Sequence, residues 1–106
     1  MSQATPFACN MSALTPDQRV RHRELSRQLQ AELRRIGELS NGFEFEFPLN
    51  TEIHRALTEL TPLEHACCPF FTINIHVEPA GDLFWQLTGT EGVKQFIRME
   101  FAGWFA

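Results

Sequence analysis

The stretch Phe70-Phe71-Thr72-Ile73-Asn74-Ile75-His76-Val77-Glu78-Pro79-Ala80-Gly81-Asp82-Leu83-Phe84-Trp85-Gln86-Leu87 reads as a β-hairpin. Phe71, Ile73, Ile75 and Val77 alternate with Thr72, Asn74 and His76, the period of two that gathers apolar side chains on one side of a strand. Glu78 to Asp82, with Pro79 and Gly81, makes the turn. Leu83, Trp85 and Leu87 then return on the same inner side, so the two strands run antiparallel. Upstream, Phe43-Glu44-Phe45-Glu46-Phe47 alternates in the same way and Pro48 ends it. Because each strand is apolar on one side only, helices are expected on that side. Glu44, Glu46, Thr72, Asn74, His76 and Gln86 are left toward water.

The helices follow from their caps. Thr15-Pro16-Asp17-Gln18 combines an N-cap, a first-turn proline and a capping-box residue, which predicts a helix from about residue 16 to about residue 39. His22, Leu25, Leu29, Leu33 and Ile36 share one face of it, so His22 points inward. Ser40-Asn41-Gly42 stops this helix and turns the chain. Asn50 caps a helix with Ile53, Ala56, Leu57 and Leu60 on its apolar stripe, and Thr61-Pro62-Leu63-Glu64 repeats the cap pattern, predicting a second short helix. Thr90 is placed to cap a last helix carrying Val93, Phe96, Ile97 and Phe101. Residues 1–14 read as an extended N-terminal arm pinned by Phe7, Met11 and Leu14. The expected fold is α+β, a single domain over residues 1–106 with a three-stranded mixed sheet, helices on one face and the order α-β-α-β-β-α.

With 106 residues, 43% of them hydrophobic, the chain is long enough to bury a core without disulfide staples. A formal net charge of -4 argues against a nucleic-acid partner. The basic residues between Arg19 and Arg35 interleave with Glu24 and Glu32, as on a solvated helix face. No run approaches the roughly 18 apolar residues that span a bilayer, and Met1-Ser2-Gln3-Ala4 lacks the features of a signal peptide, so a cytoplasmic protein with no membrane partner is expected. Three cysteines in that compartment are expected to be reduced.

Within Glu64-His65-Ala66-Cys67-Cys68-Pro69-Phe70, two adjacent thiols lie where a helix passes into a strand. Pro69 biases Cys68 away from helical geometry, which could bring both sulfurs onto one ion. A soft cation deprotonates its thiol ligands and removes the cost of burying thiolates. Cys67 and Cys68, with Cys9 from the arm as third ligand and His22 or His65 nearby, would suit mercury(II), arsenite or copper(I). Zinc is less suited, since neither Cys-x2-Cys nor His-x3-His spacing occurs, and an iron–sulfur cluster lacks its four cysteines. A Cys67–Cys68 disulfide would close a strained ring and reduce easily. Nucleophilic catalysis with His22 or His65 as base is opposed by the helix C-terminus, which raises a thiol pKa. The plainest alternative is that the cysteines only pack. A rival of another class is an interaction module, with Phe101, Trp104, Phe105 and an exposed Phe84 forming a homodimer or partner surface. His54 and His76 read as solvated.

Glu64-x-x-Cys67-Cys68-Pro69-Phe70, together with Phe7-Ala8-Cys9, Leu14-Thr15-Pro16-x-x-Arg19-x-Arg21-His22 and Leu87-Thr88-Gly89-x-Glu91-Gly92-Val93-Lys94, resembles a family of small bacterial proteins of unassigned function. The match spans most of the chain, and Cys-Cys-Pro-Phe is its most specific part. Members of that family are sometimes associated with heavy-metal resistance, so the resemblance implies soft-ion chemistry. The adjacent cysteines also look like the vicinal pairs of mercury-handling reductases and transporters. The chain lacks the flavin-binding glycine fingerprint of the first and the membrane spans of the second.

Overall fold

In the computed structural model, residues 7–106 are described, so the part of the arm before Phe7 lies outside them. The order is a 3-10 turn (Met11–Ala13), α1 (Pro16–Glu32), β1 (Arg35–Leu39), β2 (Gly42–Pro48), α2 (Thr51–Cys67), β3 (Thr72–Val77), β4 (Asp82–Thr88), α3 (Val93–Glu100) and α4 (Ala102–Phe105). The class is α+β, as expected. The sheet, however, has four strands in the order β1-β2-β4-β3, and every pairing is antiparallel, which corrects the three-stranded mixed sheet.

The extra strand comes from the end of the first expected helix. Leu33 leaves helical geometry with ψ 130°, and Arg35 to Leu39 pair with Gly42 to Glu46 across the two-residue turn Ser40-Asn41. Leu33 and Ile36 continue the helical spacing by coincidence. Asn41-Gly42 between two short runs is the stronger signal, because it favours a tight hairpin. A second correction concerns Pro62, which lies inside one continuous α2 rather than starting a new helix. Thr61 does not act as a cap. Its hydroxyl donates back to the Leu57 carbonyl (2.7 Å) and accepts from Trp85 Nε1 (3.0 Å). Pro62 and Thr58 are both exposed, so the carbonyl that proline leaves unpaired lies on the wet side. Thr90 does not cap α3 either: Gly92, at φ 95°, holds that position without a side-chain bond. The left-handed backbone there favours glycine.

The sheet's inner face is built in rows. Phe45 lies opposite Trp85 and Trp85 opposite Ile75, while Phe43 lies opposite Leu87 and Phe47 opposite Leu83. Trp85, Phe45, Phe47, Leu83 and Leu87 are fully buried. The Trp85–Thr61 bond holds α2 against this face, and Phe45 packs on Phe101, Trp104 and Phe105 from the C-terminal helices, with ring centroids 5.5 to 6.2 Å apart. On the other face Gln86 donates to Glu44 (3.0 Å) and Arg35 to Glu46 (2.7 Å). Glu46 is buried despite its outward position, because Arg35 from β1 covers it.

α1 lies against α2. Arg21 forks onto both carboxylate oxygens of Glu59 (2.6 and 2.7 Å), and the guanidinium holds the Glu59 carboxyl below its usual range. At the turn into β2, a Cβ on Gly42 would lie 1.9 Å from the Leu87 carbonyl oxygen. Gly42→Ala should therefore force β2 and β4 apart and destabilise the protein by about 1 to 3 kcal/mol, as overpacking does, measured by urea unfolding.

Candidate functional site

α2 ends where Pro69 ends it. Cys68 is the C-cap, at φ -130° and ψ 70°, and its N–H donates to the Glu64 carbonyl (2.8 Å). The carbonyl of Cys67, the last residue of α2, accepts from the Asn10 N–H of the arm (2.7 Å). That bond draws the arm across the end of α2 and sets Cys9 beside Cys68. Further on, Asn10 Oδ1 accepts from the Ser12 N–H and Leu14 is buried, as is Phe7, while Thr15 and Gln18 close the expected capping box. Arg19 of α1 donates to the carbonyls of Leu14 (2.7 Å) and Met11 (3.4 Å). The segment is a folded strap rather than a wholly extended arm.

Cys9 and Cys68 form a disulfide, with their Cα atoms 4.6 Å apart. That corrects the expectation of three free thiols, and it also leaves the strained Cys67–Cys68 ring unmade. Cys67 is the one free cysteine, 1% exposed, with its sulfur 3.8 Å from that of Cys68. One sulfur each from Cys9, Cys67 and Cys68 and a carboxylate oxygen of Glu64 all lie within 4.8 Å of one another, a group that could hold a metal ion. The three sulfurs that the sequence brought together as candidates thus lie in one place.

Glu64 is the residue the sequence reading left out. It is 3% exposed, with Oε1 2.8 Å from His22 Nε2 and Oε2 3.3 Å from Cys68 Sγ. Its signal was available, since Glu64, Cys67 and Cys68 stand at i, i+3 and i+4, where helical side chains share a face. His22 points inward as expected and reaches the cluster through Glu64. His65 does not: one residue past Glu64, it is turned outward and exposed. His54 is exposed as well, and His76 pairs with Glu78.

Cys9, Glu64 and Cys67 of this group line a cavity of about 270 Å³ together with Met11, His22 and Trp104, among others. Burial, then the nearby Glu64 carboxylate, push the Cys67 thiol up to about 11. Such a thiol is a poor nucleophile at neutral pH, which argues against thiol catalysis through Cys67. Glu100, at the cavity rim, is also raised, by desolvation and by Glu64.

The raised Cys67 pKa fixes a pH dependence. Below about pH 9 the thiol is neutral in both folded and unfolded chains and contributes no slope. Between pH 9 and 11 the unfolded chain ionises it while the folded chain does not, so stability falls as pH rises, by roughly 2 to 3 kcal/mol across the window. Urea unfolding of the oxidised protein between pH 7 and 11 should show this fall, and Cys67→Ala should flatten it. A variant with an unchanged slope would mean that Cys67 ionises normally.

No protein-family model, curated protein or solved structure matches the chain, so the functional reading is carried by the geometry of Cys9, Glu64, Cys67 and Cys68.

Proposed function

We propose that the protein binds a thiophilic metal or metalloid ion through the reduced thiols of Cys9, Cys67 and Cys68. The observation that carries this reading is the convergence of three sulfurs and a carboxylate at a buried helix end. Thiolates select soft ions, and arsenite, which takes three sulfurs in a pyramid, fits a site with three. Mercury(II) and copper(I) use the same donors. Each thiol must lose its proton on binding, and the Glu64–His22 pair, 2.8 Å apart beside Cys68, is placed to receive one. His65 has no part in this site. The resemblance to the bacterial family associated with heavy-metal resistance supports the same reading.

The Cys9–Cys68 disulfide favours a second reading, a thiol–disulfide couple in which reduction opens the strap. The interaction-module reading is weaker, because Phe101 is 6% exposed and Trp104 and Phe105 pack on Phe45. Among the described residues, the exposed large apolar side chains Val20, Leu49, Val77 and Met99 are spread over α1, a loop, β3 and α3.

Native mass spectrometry of the reduced protein with one equivalent of mercury(II), arsenite, copper(I) or zinc tests the proposal. One-to-one binding of a soft ion is expected, lost in Cys67→Ser/Cys68→Ser and weakened at least tenfold in Cys9→Ser. Affinity should rise with pH, since bound thiols give up protons. Binding that persists in the double variant would overturn the assignment, and a reversible two-electron couple without ion binding would favour the redox reading.

A further inference from the structure

The cavity beside the thiols is much larger than an ion. It measures about 270 Å³, whereas an engineered apolar cavity of about 150 Å³ already accepts a benzene molecule. Its lining is mixed. Cys9, Cys67, Glu64 and His22 share it with the apolar Met11, Phe101 and Trp104, beside the charged Arg19, Arg23 and Glu100. The aromatic lining is held by packing: Trp104 lies edge-on to Phe45 and Phe101, with ring centroids 5.5 Å away in each case. Cys68 is fully buried and does not line the cavity, so two of the three sulfurs, those of Cys9 and Cys67, face it.

Two sulfurs in a cavity also lined by Met11, Phe101 and Trp104 match a centre that carries one organic group and needs two thiolates. A trivalent monoorganoarsenical is such a centre, since its arsenic forms one bond to carbon and two to sulfur. An organomercury(II) cation prefers a linear arrangement of one carbon and one sulfur, and would leave the second sulfur unused. Resting on the soft-ion reading above, we propose that the substrate class of the site is trivalent monoorganoarsenicals, with arsenic bonded by Cys9 and Cys67 and the organic group held against Met11, Phe101 and Trp104. The step is a condensation without change of oxidation state. An organoarsenic(III) oxide and two thiols give two As–S bonds and one water, which takes the oxide oxygen and both thiol protons. The Cys9–Cys68 disulfide must first be opened by a dithiol reductant, which is itself oxidised to its disulfide.

The test compares phenylarsine oxide with arsenite on the reduced protein, desalted and kept anaerobic, by competition against a simple dithiol. The readout is the ratio of the two affinities. A small dithiol without a cavity supplies the ratio due to the chemistry alone, and the protein should exceed it at least tenfold, about 1.4 kcal/mol. Met11→Ala and Trp104→Ala should each bring the ratio down at least threefold. Because both ligands are measured on the same variant, lost stability shifts both affinities and leaves the ratio unchanged. Cysteine-dependent binding of both ligands, with a ratio equal to that of the small dithiol and unmoved by the variants, would overturn this inference and leave the soft-ion reading standing. Failure of both ligands to bind through the cysteines would overturn the two together.

Discussion

The carbonyl of Cys67 has no partner within its own helix. In a longer helix it would accept from Phe71, but the Phe71 N–H is turned to the Cys68 carbonyl (3.3 Å). Cys67 is 1% exposed, and a buried carbonyl left unpaired costs about 1 to 3 kcal/mol. The Asn10 N–H removes that cost at 2.7 Å. A backbone bond therefore places Cys9, and the sulfur chemistry follows from it. Arg19 holds the same segment to α1, and Arg21 with Glu59 holds α1 to α2. His22 faces Glu64 because those two attachments fix the relative position of the helices.

The sulfurs can close this arrangement in two ways. A disulfide between residues 59 positions apart restricts the unfolded chain by about 4 kcal/mol in the loop-entropy description. An ion present at a thousand times its dissociation constant stabilises the folded state by about 4 kcal/mol as well. The two are comparable and mutually exclusive, since a sulfur in a disulfide has no thiolate to offer. An oxidising environment would hold the strap through Cys9 and Cys68, and a reducing one containing a soft ion would hold it through the ion.

The hairpin of β3 and β4 and the inner face of β2 were legible because period-two alternation has no other common cause. β1 was not, since Leu33 and Ile36 fall on the helical spacing of α1, and that spacing outweighed the Asn41-Gly42 turn. A missed first strand also misstated the sheet, leaving it short by one strand. In α2, local rules failed for a tertiary reason: the Thr61 hydroxyl that looked like a cap is engaged by Trp85, which lies 24 residues away. The thiol pair was evident and the arm cysteine was rightly joined to it. Its bond to Cys68 rather than to an ion depends on contact across the chain, which no local spacing encodes. Glu64 stayed hidden because its buried place depends on His22 of α1, 42 residues away, which no local spacing shows.

Trp85 connects the sheet to α2 and to the aromatic residues that line the cavity. Its Nε1 donates to Thr61 on α2, the helix that carries Glu64 and Cys67, and its ring lies 6.3 Å from Phe101 and 6.2 Å from Trp104. Glu64 and Cys67 on α2, and Phe101 and Trp104, are thus referred to one fully buried side chain. None of these four can shift far without disturbing the packing around it, because cores tolerate little displacement. The strap, by contrast, reaches the cluster from outside the sheet, anchored by the buried Phe7 and Leu14, by a few hydrogen bonds and by a bond that reduction can break. Reduction of that bond frees the Cys9 sulfur while Phe7 and Leu14, on either side of it, keep the strap tied to the core.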